Sequence, residues 1–484
     1  MYPVAIHTFG CKLNQFESEA IADAFGKAGF PLIPWGQSLK WPGLLIINTC
    51  TVTSKADQKA RRIIRKALRD NPDACVIITG CYANLDHKEI EALETEISED
   101  GFTVDTADSR RFDGHRLFIA GGENGAAAKS ALLKLPGYLL EAAANSPDAA
   151  LPRLLEAWFC REEKASPFDF KPIDFSFHSR GYLKIQDGCD GNCTYCRTRL
   201  ARGPSISLNR ETALEQLLAF EAKGFAELMV TGVNLSQYNY SGCDLAGLLD
   251  YLLRNSSTIA LRLSSLEPEA INGRLAAVLA HPRIRPHFHL SIQSGSEQIL
   301  RKMGRGYTPQ KAEEGAALLR AVKDNPFLAC DIITGFPGEG EAEFTQTIDL
   351  CEKIHFAWIH AFPYSRRPGT GAYSFEDKVC EREVSRRIEV LTKLALRGRR
   401  DYAQAWLGRE LSAVVEKGKT AQGQCRAVSE NYLKLIVNFS GEPPPQGSCL
   451  RCTPVTLCEG ADGEKPDAIA KAISVSPAHS FRNH

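Results

Sequence analysis

Short apolar runs alternate with amphipathic helical segments at the start of the chain. Over residues 1–101, apolar runs at 4–9, 44–47 and 74–78 are separated by stretches whose apolar residues recur at helical spacing. Strands that alternate with helices in this way are typical of a parallel sheet covered by helices. In such sheets, ligands gather outside the carboxyl ends of the strands. The pattern therefore predicts an amino-terminal parallel α/β domain whose strand ends form a binding edge.

The same alternation returns over residues 176–405, where each predicted strand is followed by polar or glycine-rich residues. Repeated strand-helix units predict a parallel β/α barrel, in which active-site residues lie at the carboxyl ends of the strands. A long cationic helix is predicted at the end of this region, over 381–405. The predicted strands cover 182–185, 228–230, 261–263, 289–292 and 330–333.

Three further segments complete the predicted domain order. Residues 102–175 are rich in alanine and leucine at helical spacing, which predicts a helical connector or an insertion. Residues 406–458 contain strand patterns at 411–416 and 432–437 and are expected to form a small β-barrel. The end of the chain, 459–484, is expected to be disordered. The predicted fold class is therefore α/β, followed by a small carboxy-terminal β domain.

Composition and charge limit the location and the partners of the chain. Its 484 residues are 44% apolar and 24% charged, and nowhere do 18 uncharged apolar residues run together. Because the start of the sequence shows no secretion signal, we expect a cytoplasmic protein that does not bind a membrane. Lysine plus arginine (58) balance aspartate plus glutamate (58), so a polyanion would have to be held by local patches. Sixteen cysteines in the reducing cytosol indicate thiolates bound to metals.

One loop concentrates the candidate chemistry. Cys189, Cys193 and Cys196 stand at C-x3-C-x2-C spacing with glycine and asparagine between them, so a tight loop can turn the three thiolates toward one centre. A structural zinc ion requires four protein ligands, and neither a histidine nor a fourth cysteine stands nearby. A 4Fe–4S cluster held by three cysteines keeps one iron open for another ligand. The alternative, three buried cysteines, is disfavoured because glycine and asparagine make a poor apolar core.

A second set of cysteines is distributed over the amino-terminal domain. Cys11, Cys50 and Cys81 each follow the end of a predicted strand, so residues far apart in sequence should converge at one edge of the sheet. Any one of them alone would be interpreted as a small buried hydrophobic residue. Because all three strand ends share the feature, we interpret them as a second three-cysteine iron–sulfur site.

The loop at 188–196 resembles the signature of the radical S-adenosylmethionine (SAM) superfamily. That signature has the same cysteine spacing and an aromatic residue, here Tyr195, before the last cysteine. The resemblance implies that SAM binds the open iron of a 4Fe–4S cluster and is reductively cleaved to a 5′-deoxyadenosyl radical. It also implies that the surrounding chain forms a partial parallel β/α barrel.

The amino-terminal runs at 8–19, 48–53 and 79–81 look like those of the radical-SAM methylthiotransferases, which have a second cluster site ahead of the SAM loop. Family members act on isopentenyladenosine in tRNA, on threonylcarbamoyladenosine in tRNA, or on an aspartate of a ribosomal protein. The run Gly-Cys-Lys-Leu-Asn-Gln-Phe-Glu at 10–17 most closely resembles the threonylcarbamoyladenosine branch. The resemblance implies two 4Fe–4S clusters, held by Cys11, Cys50, Cys81, Cys189, Cys193 and Cys196.

Four later strand ends resemble family motifs at the mouth of the barrel, and the resemblance covers most of 1–100 and 178–405. Bound SAM needs donors and acceptors from several strands for its amino group, carboxylate and ribose. For each expected SAM contact named below, the alternative interpretation is packing or capping at the mouth of the barrel. No catalytic residue is assigned. The expected SAM contacts are Tyr195, Gly232, Asn234, Ser264, Glu267 and Gln293, and Lys184, Arg262 and Arg305 are further polar candidates without an assigned role.

The resemblance implies an enzyme that replaces the C2 hydrogen of N6-threonylcarbamoyladenosine at position 37 of tRNA, beside the anticodon, with a methylthio group. One SAM would methylate sulfur held at the amino-terminal cluster, and another would yield the radical. The implied partners are a tRNA anticodon stem-loop and an electron donor of the flavodoxin or ferredoxin type, and the enzyme is expected to be a monomer. The alternatives are the other substrates of the family, or a non-catalytic iron–sulfur protein that binds RNA.

A basic helix is predicted at 55–69, between the second and third apolar runs. Its lysines and arginines surround a narrow apolar stripe, and acidic residues are few. A solvated helix face and a surface that contacts phosphates are both compatible with this pattern.

The carboxy-terminal segment resembles the TRAM domain of the family, an RNA-binding module, through its strands and the pair Asn431 and Tyr432. Cys449, Cys452 and Cys458 follow at C-x2-C-x5-C, a pattern that the family does not predict. A zinc site there would need a fourth ligand, and the nearest histidine in that direction is distant, so the metal interpretation is disfavoured.

Overall fold

The structure is a computed structural model that describes residues 1–36, 43–99, 115–122, 129–161, 165–171, 179–418, 420–421, 423–439, 441–460 and 463–476. The chain folds into two compact units. The first unit comprises Met1–Phe177 together with the short segments Asp187–Asp190 and Cys196–Pro204, and the second comprises the rest of the chain.

Four parallel strands form the sheet of the first unit. β1 (Val4–Thr8), β2 (Leu44–Thr49), β3 (Cys75–Gly80) and β4 (Leu117–Ala120) lie side by side in chain order. Every residue of β2 and β3 is buried, as expected of parallel strands that are covered on both faces. The helices of this part of the chain are α1 (Lys12–Lys27), α2 (Ser54–Asp70), α3 (Cys81–Leu85), α4 (His87–Glu99), α5 (Leu135–Asn145) and α6 (Leu151–Phe159).

Strand β4 lies within 102–175, the stretch predicted to be a helical connector. It pairs with β3 from Leu117 to Ala120 and so belongs to the amino-terminal sheet. The prediction is wrong for these residues because four apolar positions are too few to separate a strand from a helical turn by periodicity. Helices α5 and α6 agree with the helical spacing, whereas 101–114, 123–128, 162–164 and 172–175 lie outside the described residues.

Helix α2 is the basic helix predicted from the sequence. Its apolar stripe, which includes Ala60 and Ile64, is buried against the sheet. Arg61 and Arg65 bind Glu89 and Glu96 of α4 at 2.7 and 2.8 Å, so two of its cations serve helix packing. The interpretation as a phosphate-contacting surface stays a prediction for its exposed cations, which are Lys55, Lys59, Arg62, Lys66 and Arg69.

A row of parallel strands forms the core of the second unit. β5, β8 and β11 make one sheet and β12, β13, β14 and β15 make the next, with every pairing parallel and each strand beside its successor along the chain. β12 begins two residues after β11 ends, so the two sheets form a partial barrel. The strands are β5 (Gly181–Lys184), β6 (Gln186–Asp187), β7 (Ile206–Ser207), β8 (Glu227–Thr231), β9 (Asn239–Tyr240), β10 (Cys243–Asp244), β11 (Ala260–Leu263), β12 (Ser265–Leu266), β13 (His287–Gln293), β14 (Phe327–Thr334) and β15 (Trp358–Pro363).

Helices follow most of these strands, as the alternating pattern of the sequence predicts. The first of them, α7, is short and directly follows the cysteine loop, whereas the last is long and cationic. The helices are α7 (Thr198–Arg202), α8 (Arg210–Ala222), α9 (Leu245–Arg254), α10 (Gly273–Leu279), α11 (Glu297–Lys302), α12 (Pro309–Val322), α13 (Glu341–Ile354) and α14 (Glu381–Ala405), with single 3₁₀ turns at Leu235–Gln237, Pro268–Ala270 and Gly371–Ser374.

Five strands at the carboxy-terminal end form a closed barrel in the order β16-β17-β18-β20-β19. The predicted disorder from residue 459 is wrong for the last strand, which pairs in parallel with β18 and antiparallel with β19. An alanine-rich strand has low β-propensity, and its partners lie outside the segment, so the local pattern does not reveal it. The strands are β16 (Leu411–Glu416), β17 (Gln424–Ser429), β18 (Lys434–Asn438), β19 (Cys449–Leu457) and β20 (Ala468–Ser476).

A buried carboxylate joins the partial barrel to the closed barrel within the second unit. Glu227, the first residue of β8, accepts hydrogen bonds from Arg262 at 2.7 Å and from Arg285 at 2.8 Å. Burial raises the pKa of Glu227, but the arginines outweigh this effect and hold the pKa at about 2. Arg262 also donates to the carbonyl of Ser429 at 3.1 Å. Arg262, a polar candidate from the sequence, therefore has a structural role.

These features confirm the predicted fold class: an amino-terminal parallel α/β region, a partial β/α barrel and a small closed β-barrel. No helix within the described ranges is both long and apolar enough to cross a membrane.

Candidate functional site

Three cysteines meet at the carboxyl edge of the first sheet. Cys11 lies between β1 and α1, Cys50 follows β2, and Cys81 begins α3 directly after β3. The pKa of Cys50 is raised to about 12, first by burial and then by the neighbouring thiols of Cys81 and Cys11. Because charges act on a pKa only at short range, the three thiols lie near one another. The structure thus brings together the second set of cysteines singled out in the sequence.

Two residues of the 10–17 run hold this edge in place. Gly10 has a φ of +92°, and a Cβ at this position would stand 2.7 Å from the sulfur of Cys50, so a larger residue would displace the thiol. Asn14 Nδ2 donates to the carbonyl oxygens of Phe9 and Thr49 at 2.8 and 2.9 Å. The hydroxyl of Thr49 in turn donates to a carbonyl of β3 at 2.6 Å. These bonds connect the three strand ends to one another.

A buried network of charges lies beside the three thiols. Arg202 Nη1 lies 3.0 Å from carboxylate oxygens of both Glu17 and Asp187, and Arg202 Nη2 donates to Asn14 Oδ1 at 2.9 Å. Lys129 Nζ donates to Glu17 at 2.5 Å. The two cations and two carboxylates balance, as buried charges must if they are to be tolerated. The positive charge of Arg202 also lowers the pKa of Cys50, the buried thiol of the three.

Three thiols are the donor set that binds a 4Fe–4S cluster. Within the described residues, no group of three or more His, Cys, Asp or Glu side chains is arranged as the ligands of one ion. A zinc site draws its four ligands to within about 2.0–2.3 Å of one centre. A 4Fe–4S cluster offers a separate iron to each cysteine and therefore accepts thiols that lie further apart. The role of Cys11, Cys50 and Cys81 as cluster ligands stays a prediction.

The outer cysteines of the loop at 188–196 are held by backbone and side-chain bonds. The N–H of Cys189 donates to the carbonyl of Gly203 at 3.1 Å. Arg197, which directly follows Cys196, binds both carboxylate oxygens of Asp86, at 2.9 and 3.1 Å. A bidentate pair between arginine and carboxylate fixes the orientation of the two side chains as well as their distance. The chain on both sides of the loop is therefore anchored.

The middle of the loop is held by three hydrogen bonds to Thr194. Its N–H donates to the carbonyl of Met303 at 2.9 Å, its hydroxyl donates to the carbonyl of Lys302 at 2.8 Å, and its carbonyl accepts from the N–H of Ala372 at 2.7 Å. Tyr195, an expected SAM contact, packs against the apolar cluster formed by Ile299, Met303, Phe336 and Ala372. The ring of Tyr195 thus has a packing role, and its contact with SAM stays a prediction.

Gln186 organises two of the expected SAM contacts, although no sequence motif marks it as a site residue. Its Oε1 accepts from the N–H of Asn234 at 2.9 Å, and its Nε2 donates to Ser205 Oγ at 2.9 Å. A Cβ at Gly232 would stand 2.8 Å from the same Oε1, so glycine is needed for this close approach. The side chain of Asn234 caps the following 3₁₀ turn by accepting from the N–H of Ser236. Capping, which was the alternative interpretation for Asn234, is therefore observed.

Arg305 connects the cysteine loop to Glu267, another expected SAM contact. Its Nη1 donates to the sulfur of Cys193 at 3.4 Å, and its Nη2 donates to the carboxylate of Glu267 and to the carbonyl of Ser291, the latter at 3.0 Å. Burial opposes the charge on Arg305, but nearby tyrosines and the thiol of Cys193 outweigh burial and raise the pKa of the guanidinium. A fixed positive charge therefore lies against the thiol.

Two further expected contacts show features that suit a ligand. The hydroxyl of Ser264 is buried between β11 and β12 and makes no hydrogen bond within the described residues. Gln293, at the end of β13, has a φ of +64°, an uncommon conformation for a residue with a side chain. Buried polar groups without partners and strained backbone are both more frequent at binding sites. These two residues, with Glu267, remain our predicted SAM contacts at the mouth.

We expect Arg305→Met to lower the rate of SAM cleavage by about 10- to 100-fold if Cys193 is the cluster ligand predicted from the sequence, since losing a side chain that orients a metal ligand has this cost. The variant removes the donor to Cys193 and leaves Glu267 without its cation. The measurement is 5′-deoxyadenosine formed under reductant, with iron content determined in parallel. Arg301→Gln is the matched control, because Arg301 lies on the same segment but is exposed and pairs only with Glu297 among the described residues. Equal rates in both variants would contradict this role.

The remaining candidates do not join these sites. Lys184 is buried at the last position of β5. Cys452 lies in the apolar core of the closed barrel, and Cys449 Sγ lies 3.4 Å from the hydroxyl of Ser412. Cys458 follows β19, and with no three-residue metal site among the described residues the disfavoured zinc interpretation gains no support.

Comparison with known proteins gives two family matches. Residues 3–99 match the model described as "Uncharacterized protein family UPF0004", and residues 183–351 match the radical SAM superfamily. The first match covers the three strand-end cysteines, and the second covers the cysteine loop and the expected SAM contacts.

Whole-length relatives extend these matches. The chain is 39% identical to the threonylcarbamoyladenosine tRNA methylthiotransferase MtaB of Treponema pallidum (strain Nichols), over 93% of this chain and 98% of that protein. It is 30% identical to the tRNA-2-methylthio-N(6)-dimethylallyladenosine synthase of Desulfosudis oleivorans, over 87% and 84% of the two chains. Among solved structures, the radical SAM methyltransferase TsrM of Kitasatospora setae is similar, with a TM-score of 0.49, 15% identity and 77% coverage of each chain. The likeness to the first relative spans nearly its whole length, and the chain belongs to the radical-SAM methylthiotransferase family.

Proposed function

We propose that this chain transfers a methylthio group to C2 of N6-threonylcarbamoyladenosine at position 37 of tRNA, beside the anticodon. The observation that best supports this proposal is the 39% identity to a threonylcarbamoyladenosine tRNA methylthiotransferase, compared with 30% for a relative that acts on dimethylallyladenosine. Enzymes of this family use SAM and two 4Fe–4S clusters. A non-catalytic iron–sulfur protein is disfavoured by this membership.

The residues described above supply binding, orientation and electrostatics for this reaction. When bound, SAM and its cluster supply the radical chemistry that an unreactive C–H bond requires, because no general base can remove its hydrogen. Cys189, Cys193 and Cys196 would hold one cluster, and Arg305 would orient the thiolate of Cys193. Gln186 and Glu267 would help to form the SAM pocket at the mouth.

The amino-terminal edge would hold the second cluster through Cys11, Cys50 and Cys81. The hydrogen bonds of Asn14 would keep the three strand ends at fixed spacing, and Arg202 would offset the negative charge of the thiolates. We further propose an anticodon stem-loop as the bound part of the tRNA, a monomeric enzyme, and an electron donor of the flavodoxin or ferredoxin type.

Analysis of tRNA nucleosides tests the substrate assignment. We expect tRNA from a strain that lacks the gene to retain N6-threonylcarbamoyladenosine and to lose its 2-methylthio derivative, with recovery when the gene is restored. Mass spectrometry of digested tRNA measures both nucleosides. Loss of the methylthio derivative of isopentenyladenosine instead would favour the alternative substrate, and an unchanged nucleoside profile would contradict a tRNA substrate.

A further inference from the structure

Helix α7 makes hydrogen bonds beside both sets of cysteines. It directly follows the cysteine loop at 188–196, and it belongs to the same compact unit as the amino-terminal sheet. At the first residue of the helix, the N–H of Thr198 donates to Cys196 Sγ at 3.4 Å, and the same sulfur lies 3.2 Å from the hydroxyl of Thr198. One end of α7 is therefore bonded to a cysteine that we propose as a ligand of the SAM cluster.

Arg202, the last residue of α7, bonds to the chain that follows the first strand-end cysteine. Its Nη1 donates to Glu17 at 3.0 Å and its Nη2 donates to Asn14 at 2.9 Å, both on α1, which begins directly after that cysteine. The same guanidinium donates at 3.0 Å to Asp187, which stands two residues before Cys189. A single side chain therefore connects the start of the cysteine loop to α1.

Arg197, the residue before α7, bonds to the chain that follows the other two strand-end cysteines. Its Nη1 donates at 3.3 Å to the hydroxyl of Thr51, which directly follows the second cysteine. Its bidentate pair with Asp86 holds the end of α3, the helix that begins at the third cysteine. From within α3, Asn84 Nδ2 donates to the carbonyl of Ala201 at 2.8 Å. All three strand ends are thus bonded to α7 or to an arginine at one of its ends.

The burial of the two arginines indicates that they do more than fill space. The side chain of Arg202 is 3% exposed and that of Arg197 is 8% exposed. Packing alone would be satisfied as well by apolar residues, because the removal of a charge from water costs free energy. Bonds from arginine to carboxylate instead fix the orientation of both partners. We therefore interpret the arginines through the segments that they connect.

We propose that α7, through Arg202 and Arg197, holds the two sets of cysteines at a fixed separation, and that this separation couples SAM cleavage at one cluster to sulfur transfer at the other. The coupling part of this inference rests on the proposed function. A displacement of reacting groups by about 1 Å can lower a rate by about 100-fold. Arg202 is a positioning residue that acts through Glu17 and Asp187, so its loss should reduce transfer more than it reduces SAM cleavage.

The ratio of two products tests this coupling in the cluster-loaded, full-length protein. We expect Arg202→Gln to form 5′-deoxyadenosine within about three-fold of the wild-type rate, because the hydrogen bonds of Thr194 still hold the loop. Methylthio nucleoside formed per 5′-deoxyadenosine should fall by at least about 10-fold. Mass spectrometry measures both products in one reaction with SAM, reductant and an anticodon stem-loop that contains threonylcarbamoyladenosine. An equal fall of both products would indicate a role in folding alone and would overturn the inference.

Electron paramagnetic resonance tests the separation itself, without RNA and without turnover. In the wild-type protein with both clusters reduced, we expect a magnetic interaction between the two clusters, because dipolar coupling decreases steeply with distance. In Arg202→Gln we expect this interaction to weaken and to spread over a range of values, since α7 has lost the bonds that fix its last residue.

A charge-balanced variant guards against loss of the fold, because Arg202→Gln leaves two buried carboxylates beside one lysine. In the double variant Arg202→Gln, Asp187→Asn, Lys129 still pairs with Glu17 at 2.5 Å, so the charges of this network balance. We expect this variant to show the same fall in product ratio and the same weakened interaction. Arg199→Gln is the matched control, since Arg199 lies on the same helix with an exposed side chain, and it should behave as the wild type. Iron content and the thermal midpoint establish that each variant is loaded and folded.

The two proposals fail in different ways. A folded double variant that keeps either the wild-type product ratio or the wild-type magnetic interaction would overturn the inference and leave the proposed function intact. A wild-type protein whose two clusters show no interaction would do the same. A wild-type protein that forms no methylthio nucleoside on the threonylcarbamoyl RNA would instead contradict the proposed function, and the magnetic measurement would still decide whether α7 fixes the separation.

Discussion

Cys193→Ala is expected to abolish SAM cleavage, with 5′-deoxyadenosine formation under reductant falling by about 100-fold or more, since the proposed cluster ligand and not merely its orienting partner is lost. Cys193 is the middle cysteine of the loop and the one that Arg305 contacts at 3.4 Å. Two remaining thiolates would not hold the cluster in the position that SAM requires. Chromatographic measurement of 5′-deoxyadenosine, together with iron and sulfide analysis, reports this loss.

Iron analysis makes the expected result more specific. Loss of one of two 4Fe–4S clusters should reduce the iron content by about half, and the other cluster should remain. Cys380→Ala is a suitable control, because Cys380 is exposed and stands before α14, outside both sets of cysteines. If Cys193→Ala formed 5′-deoxyadenosine at the rate of this control, the loop could not be the site of SAM cleavage.

Cys50→Ala is expected to separate the two parts of the reaction. SAM cleavage should continue at a rate within about two-fold of the wild type, because the loop at 188–196 is unchanged, whereas methylthiolated tRNA should fall by about 100-fold or more. Cys50 is the buried member of the amino-terminal set. Its sulfur lies 2.7 Å from where a Cβ at Gly10 would stand, so it is closely enclosed. Parallel assays of 5′-deoxyadenosine and of methylthio nucleosides measure the two outcomes.

Cys75→Ala controls for the removal of a buried thiol from the same sheet. Cys75 begins β3 and is fully buried, but it lies at the opposite end of the strand from Cys81. We expect this variant to lose some stability and to retain both activities. Methylthio-tRNA formed by Cys50→Ala at the level of Cys75→Ala would show that the amino-terminal set does not carry the second cluster.

The convergence of Cys11, Cys50 and Cys81 could be predicted because it follows from local patterns and one topological rule. Each cysteine stands directly after an apolar run, and parallel strands place their carboxyl ends along one edge. The predicted strands at 44–47 and 74–78 differ from the observed strands by no more than a few residues at either end. Neither step required information on pairing between distant residues.

The supporting interactions could not be predicted from local patterns. Arg202 reaches Glu17 across 185 positions of sequence, and Lys129 reaches the same carboxylate across 112. A single arginine or lysine between helices is ordinarily solvated, so nothing in its neighbourhood marks it as buried. The stack of His289 on His360 likewise depends on the register of two strands that are not adjacent in the sheet.

Within the described residues, the closed barrel at the carboxy-terminal end shares its apolar core with the partial barrel. Tyr402 and Trp406, at the end of α14, and Phe327, at the start of β14, pack into the same apolar cluster as barrel residues such as Leu435 and Val437. A domain joined only by a linker can be replaced or removed as a unit. This barrel instead packs against apolar residues of α14 and β14, which would be exposed without it. Substitutions are therefore expected to be tolerated most readily in its exposed loops, while the surface that faces inward is constrained by the folding of the enzyme itself.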